Sequence, residues 1–143
     1  MDKVTIAFLG FAETYLGAFG AGKGEGMYAG LPMVANSSEA GVQDFVSKIR
    51  KREGDDAIVS FYVMTHYNSL MAVKAGIEKA GKVDKEAMID GMSGLTFDIP
   101  TGKAMITEED HHVAMNMYIG KTGGGTLNVE KALGMIEPSK QCG

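Results

Sequence analysis

The stretch KAMITEEDHHVAMNMYIGKTGGG, residues 103–125, sets two apolar runs on either side of a polar segment. Residues 103–107 and 113–118 are alternating or apolar, as is typical of β-strands, whereas the intervening EEDHH is typical of a turn. A β-hairpin therefore accounts for this stretch. The clustered glycines of TGGGT, residues 122–126, predict a second turn, which leads into a short strand at residues 127–129.

The same stretch contains residue types that bind metals or phosphate in other proteins, but their spacing does not fit either kind of site. His111 and His112 are adjacent, so on a strand they point to opposite faces and cannot share one ion. The GKT of residues 120–122 lacks the glycine that a phosphate-binding loop needs five positions earlier, where Met115 stands. GEGMYA at residues 24–29 is followed by a proline where a dinucleotide-binding fold needs a helix. We expect no metal and no cofactor.

Composition indicates a folded domain of ordinary size. The 143 residues are 45% hydrophobic and 22% charged, which is typical of a soluble globular protein, and we treat residues 1–143 as a single α/β unit. The net charge of −4 gives no electrostatic footprint for nucleic acid. Cys142 is the only cysteine, so no internal disulfide forms. No spacing indicates a nucleophile or an acid–base pair, so no enzyme is predicted.

The N-terminal region is predicted to form two strands joined by a glycine-rich loop. Residues 4–9 alternate and end at a glycine, which predicts a buried strand; Glu13 interrupts the apolar run, so a strand is favoured over a signal peptide. The five glycines of residues 17–26 predict a loop. A second strand is expected near residues 27–35, and Pro32 places it at a sheet edge or ends it early.

Three helices are predicted in the middle of the chain. The first follows N-cap candidates at residues 36–38 and carries apolar residues at helical spacing. The second spans residues 63–80, with Gly81 as its C-cap and Tyr67 in the core. In the third, Asp84 caps the sequence KEAMIDGM. Strands, then helices, then a β-rich end define an α/β fold class with a C-terminal hairpin.

The order of these segments resembles the C-terminal half of type 1 periplasmic solute-binding proteins, the branched-chain amino acid, amide and urea receptors of ABC transporters. Three segments carry the resemblance: the glycine–glutamate–glycine entry to a strand at residues 24–26, the helix YNSLMAVKAGIEKAG at residues 67–81, and FDIPTGK at residues 97–103. Each segment is short, but their fixed order covers nearly the whole chain.

The resemblance implies a Venus-flytrap receptor that has no enzymatic activity and holds a small polar solute in a cleft. It places a ligand-contacting loop at Gly10, Phe11, Ala12 and Glu13, directly after the first predicted strand. Ligands of open α/β sheets bind outside the carboxyl ends of strands, which agrees with this position. Two interpretations of Glu13 stay open: a carboxylate that binds a ligand's ammonium group, or a negative charge at a helix N-terminus.

The resemblance also implies an ABC transporter permease as partner and a periplasmic location. The family has a first half that these 143 residues do not match, so we expect either a missing N-terminal half or a homo-oligomer. Two alternatives remain: a truncated, self-associating interaction module without a ligand, and a cytoplasmic amide-sensing regulator if Met1 is the authentic start.

Overall fold

The computed structural model describes residues 4–20 and 23–138 as a mixed α/β unit. A 3-10 turn, Glu13–Tyr15, comes first. The helices are α1 Leu16–Phe19, α2 Ala40–Glu53, α3 Phe61–Ala80 and α4 Lys85–Met92. The strands are β1 Tyr28–Leu31, β2 Thr96–Ile99, β3 Gly102–Ile106, β4 Val113–Gly123 and β5 Thr126–Ile136. The α/β class predicted from the sequence is confirmed.

The long strand β4 organises an antiparallel sheet. Its start pairs with β3, with Met105 opposite Ala114, so the predicted hairpin is confirmed. Farther along, β4 pairs with β1 and with β5, and the sheet order is β1-β4-β3-β2 with β5 added to β4. The strand expected at residues 127–129 belongs to the longer β5, because β4 offers hydrogen-bonding partners along most of its length.

The local signals for α3 and α4 have the predicted effect. The Gly81 N–H donates to the Ile77 carbonyl at 2.9 Å and ends α3. Asp84 Oδ1 accepts a hydrogen bond from the Ala87 N–H at 3.0 Å, so Asp84 caps α4 as expected.

The N-terminus of α2 differs from the prediction, since the helix begins after Glu39 and not at residues 36–38. The polar side chains there have other partners. Ser37 Oγ accepts from the Glu39 N–H at 3.2 Å, and Asn36 Nδ2 donates to Asn128 Oδ1 at 2.8 Å. Long-range contacts and a local turn thus replace the capping bonds that the sequence suggested.

The prediction of a buried strand at residues 4–9 is wrong. The segment makes a single parallel bridge, between Ala7 and Tyr28, and its apolar side chains lie at the surface, with Val4 85% and Leu9 82% exposed. The core placement of Tyr67 is also wrong, because its side chain is 43% exposed. The buried face of α3 consists instead of four residues, and the small ones among them let neighbouring elements approach closely: Met64, Asn68, Ala72 and Gly76.

The buried side chains form three groups. The first, here called the β1 core, comprises Phe11, Met27, Ala29, Leu31, Val34, Tyr118 and Leu127. The second lies around α2 and the start of α3 and comprises Met33, Val42, Phe45, Val46, Val59 and Met64. The third lies around α3, β2 and β3 and comprises Ala72, Phe97, Ile99, Ala104 and Ile106. The β1 core fixes the position of the predicted ligand loop, because Phe11 belongs to both.

Gly76 of α3 and Gly91 of α4 allow these two helices to pack in close contact. A methyl group at Gly91 would overlap the carbonyl oxygen of Gly76, a backbone atom that has little room to shift. We expect Gly91→Ala to lower the free energy of unfolding by about 1–3 kcal/mol, the cost of overpacking, although alanine favours helix formation. Urea unfolding measures the change. Gly17→Ala is the control, since a methyl group there meets open space; equal stability of both variants would contradict the close packing.

Candidate functional site

The ligand loop predicted from the sequence, residues 10–13, forms a tight turn between the exposed N-terminal segment and the 3-10 turn. Gly10 has φ +88°, a backbone conformation that residues other than glycine rarely adopt, and the Phe11 N–H donates to the Phe8 carbonyl at 3.3 Å. The turn directs the chain from the surface into the β1 core.

Two of the four predicted site residues are part of the packing. Phe11 is 1% exposed and Ala12 is fully buried, so neither side chain offers an accessible surface in this structure. Gly10 contributes its backbone carbonyl, which accepts a hydrogen bond from the Tyr62 hydroxyl at 2.8 Å. Ligand contact by these residues stays a prediction.

Glu13 has the properties of a group held in place for a partner. Its Oε1 accepts a hydrogen bond from the Ala35 N–H at 2.8 Å. Its Oε2 is buried and has no hydrogen-bond partner among the described residues. Burial raises the pKa of the Glu13 carboxyl, and the Ala35 hydrogen bond opposes this by stabilising the charged form. One oxygen therefore fixes the side chain while the other is left unsatisfied, which is costly in a buried position.

Glu13 lines a cavity of about 430 Å³ that is built from distant parts of the chain. Its other lining residues come from α1, the segment after β1, α2, the loop before α3, and β5: Leu16, Gly17, Ala35, Asn36, Gln43, Val46, Arg50, Asp55, Asp56, Ala57, Ile58, Val59 and Thr126. The cavity offers carboxylates, a guanidinium and amides together, which suits a small polar molecule with more than one hydrogen-bonding group.

Sequence reasoning missed every cavity residue except Glu13. Arg50 lies near the C-terminal end of α2, where its Nε donates to the Ala57 carbonyl at 3.5 Å. Asn36 is an N-cap candidate in the sequence, yet its side chain bonds to Asn128. No local pattern signals these positions, because the cavity forms where segments far apart in the chain meet.

The carboxylate and histidine cluster of residues 107–112 forms an exposed turn. The Thr107 hydroxyl bonds to Asp110, and His112 Nδ1 lies 3.2 Å from Asp110 Oδ2. The Thr107 hydroxyl and the His112 N–H lower the pKa of Asp110. These contacts are internal to the turn. Within residues 4–20 and 23–138, no three His, Cys, Asp or Glu side chains are arranged to hold a metal ion.

The raised pKa of Glu13 gives stability a defined dependence on pH. A carboxyl whose pKa is higher in the folded than in the unfolded state does not lower the free energy of unfolding at a pH below its unfolded pKa of about 4.5. It lowers the free energy of unfolding by the full amount at a pH above the folded pKa. We therefore expect Glu13→Gln, which retains an acceptor for Ala35, to gain stability relative to the wild type as pH rises from about 4 to 7. Urea unfolding across this range measures the difference. A difference that stays constant with pH would contradict burial of a charged Glu13.

Comparison with known families assigns the chain to a class. Residues 1–126 match the family model for periplasmic binding proteins, so the chain belongs to the periplasmic binding protein family. Among the described residues, no helix is long and apolar enough to cross a membrane.

Solved structures with the same fold are solute-binding proteins of ABC transporters. An amino acid ABC transporter substrate-binding protein from Pseudomonas fluorescens matches with a TM-score of 0.80 and 18% identity, over 96% of this chain and 38% of that one. An ABC-type branched-chain amino acid transporter protein from Rhodopseudomonas palustris matches with a TM-score of 0.69 and 22% identity, over 92% and 36%. A solute-binding protein from R. palustris in complex with 3,4-dihydroxybenzoic acid matches with a TM-score of 0.72 and 23% identity, over 88% and 34%.

The chain spans only about a third of the length of these structures. It also matches a limonene hydroxylase from Geobacillus stearothermophilus, with 25% identity over 79 residues that make up 14% of that protein. So short and distant a match assigns no activity, and both the family and the solved structures are transporter binding proteins.

Proposed function

We propose that the chain is the C-terminal part of a periplasmic solute-binding protein that delivers its ligand to an ABC transporter permease. Membership of the family supports a small-molecule ligand and this class of partner. We further propose that the solute carries N–H donors, as an aliphatic amino acid, a short amide or urea does.

The observation that carries the proposal is the state of the Glu13 carboxylate. One oxygen is fixed by the Ala35 N–H and the other is buried without a partner among the described residues. An ammonium or amide N–H of a solute would supply the missing bond, and such charge-assisted bonds are strong where water is excluded. Among the three solute classes, an amino acid also places a carboxylate that Arg50 of the same cavity can bind.

The same carboxylate argues against aromatic acids as ligands of this cavity. Structures with this fold have been solved in complex with benzoate and with 3,4-dihydroxybenzoic acid. A benzoate carboxylate could bind Arg50, but benzoate has no N–H donor for Glu13 Oε2, so that buried oxygen would stay unsatisfied. The N–H donors of an amine or amide supply this bond.

Thermal melting against a panel of solutes tests the proposal. The panel contains leucine, acetamide and urea on one side and benzoate and 4-hydroxybenzoate on the other. A solute at a hundredfold excess over its Kd stabilises the native state by about 2.7 kcal/mol, which is readily measured. A saturable shift with an N–H donor and none with the aromatic acids is expected. A shift with benzoate alone would overturn the proposed solute class, and no shift from a cooperatively melting chain would overturn binding by this chain.

A second candidate function, a self-associating module without a solute, is favoured by the exposed apolar segment at residues 4–9. Val4, Ile6, Phe8 and Leu9 are all at least half exposed, and Leu70 on α3 is 71% exposed. Exposed apolar surface of this kind favours contact with another polypeptide. Sedimentation velocity over a range of concentrations distinguishes the two candidate functions. An oligomer that forms without solute favours the self-associating module, whereas a monomer that binds solute excludes it.

A further inference from the structure

Tyr62, in the first turn of α3, connects that helix to the loop that carries Glu13. Its hydroxyl donates to the Gly10 carbonyl at 2.8 Å, a contact between residues 52 positions apart in the chain. Its ring packs against Phe61 with centroids 4.1 Å apart. Phe61 in turn contacts both the β1 core and the buried group around α2. The Tyr62 side chain is therefore anchored through its ring and reaches the loop through its hydroxyl group.

Tyr15, at the close of the 3-10 turn, lies near the same phenol and raises the pKa of Tyr62. Tyr15 packs its ring against Phe11 at 6.0 Å. Tyr62 thus bonds to the loop at Gly10, before Glu13, and lies near Tyr15, after it.

We propose that Tyr62 is a positioning residue that clamps the loop at Gly10 and so holds the Glu13 carboxylate in place for the solute. This inference rests on the proposed function. At the start of the loop Gly10 has φ +88° and Leu9 is 82% exposed, so the hydrogen bond to Gly10 adds to the restraint that the buried Phe11 supplies. A hydrogen bond at this point removes freedom that the solute would otherwise have to remove on binding.

The variant Tyr62→Phe tests the clamp, because it deletes the hydroxyl and keeps the ring contact with Phe61. Amide hydrogen exchange over residues 10–16 is expected to become faster by about 3- to 10-fold, the equivalent of one hydrogen bond. Affinity for the solute identified by melting is expected to fall by a similar factor, with most of the change in the dissociation rate. Tyr67→Phe is the matched control on the same helix, because its ring packs against Phe45 and lies away from the loop.

A double-mutant cycle separates positioning from a merely structural role. If Tyr62 acts through Glu13, Tyr62→Phe will change affinity by less than about 2-fold in a Glu13→Gln background. Equal losses in both backgrounds would overturn the positioning role, as would unchanged exchange over residues 10–16. If no solute binds the wild type, the proposed function fails, whereas the exchange measurement still decides whether the clamp exists.

Discussion

Glu13→Gln is expected to weaken the binding of an aliphatic amino acid by about 10- to 100-fold, the equivalent of one hydrogen bond to a charged group. Glutamine has nearly the same shape and keeps an oxygen for the Ala35 N–H. It loses the negative charge that a buried ammonium group requires. The loss should therefore appear in the affinity while the fold stays intact. Isothermal titration calorimetry at constant pH and salt gives the two dissociation constants.

The control for this prediction is another carboxylate that lies outside the cavity. Glu78 on α3 pairs with Lys74 at 3.0 Å, and both side chains are 63% exposed, so Glu78→Gln should leave affinity unchanged. An equal loss in both variants would indicate a general effect of net charge. Unchanged affinity in Glu13→Gln would assign Glu13 to the other interpretation, a charge at the start of the 3-10 turn.

Leu31→Ala is expected to lower the free energy of unfolding by about 2–5 kcal/mol, the range for removing a large buried aliphatic side chain. Leu31 ends β1 and is fully buried within the β1 core. Its side chain lies close to Gly120 of β4, with a Leu31 methyl carbon 3.1 Å from the position that a Cβ at Gly120 would take. The cavity left by alanine is therefore bordered by sheet backbone, which collapses poorly. Urea unfolding with a fitted m-value measures the change.

The matched substitution for Leu31 is Leu70→Ala on α3. Its side chain is 71% exposed, so removal should change stability by no more than about 0.5 kcal/mol. Similar costs at both positions would mean that Leu70 is covered in solution, as in an assembly of chains, and would support the second candidate function. Because Phe11 also belongs to the β1 core, Leu31→Ala should in addition loosen the loop that carries Glu13.

Local sequence signals predicted the helices and turns well. Gly81 ends α3, Asp84 caps α4, and glycines form the turn between β4 and β5, since each feature depends on residues only a few positions apart. The signals failed where distant partners competed. The side chain of Asn36, for example, bonds to Asn128 and does not cap α2.

Apolar patterns were less informative about burial. Residues 4–9 and Tyr67 have the periodicity of core elements, yet the former lie at the surface and the latter is 43% exposed. Periodicity identifies a face that is suited to burial, but it does not identify which element covers that face. In this chain, the segment at residues 4–9 pairs with β1 through one bridge, and its apolar side chains stay at the surface.

The sequence by itself determined the α/β class, the hairpin, the ends of α3 and α4, and the resemblance to periplasmic solute-binding proteins, because these follow from residue type and order. It also directed attention to residues 10–13. Only the tertiary structure separated the buried Phe11 and Ala12 from Glu13, and only it brought Arg50 into the same cavity. The physical reason is that a cavity and an unsatisfied oxygen are created where distant segments meet, and no short stretch of sequence records that meeting.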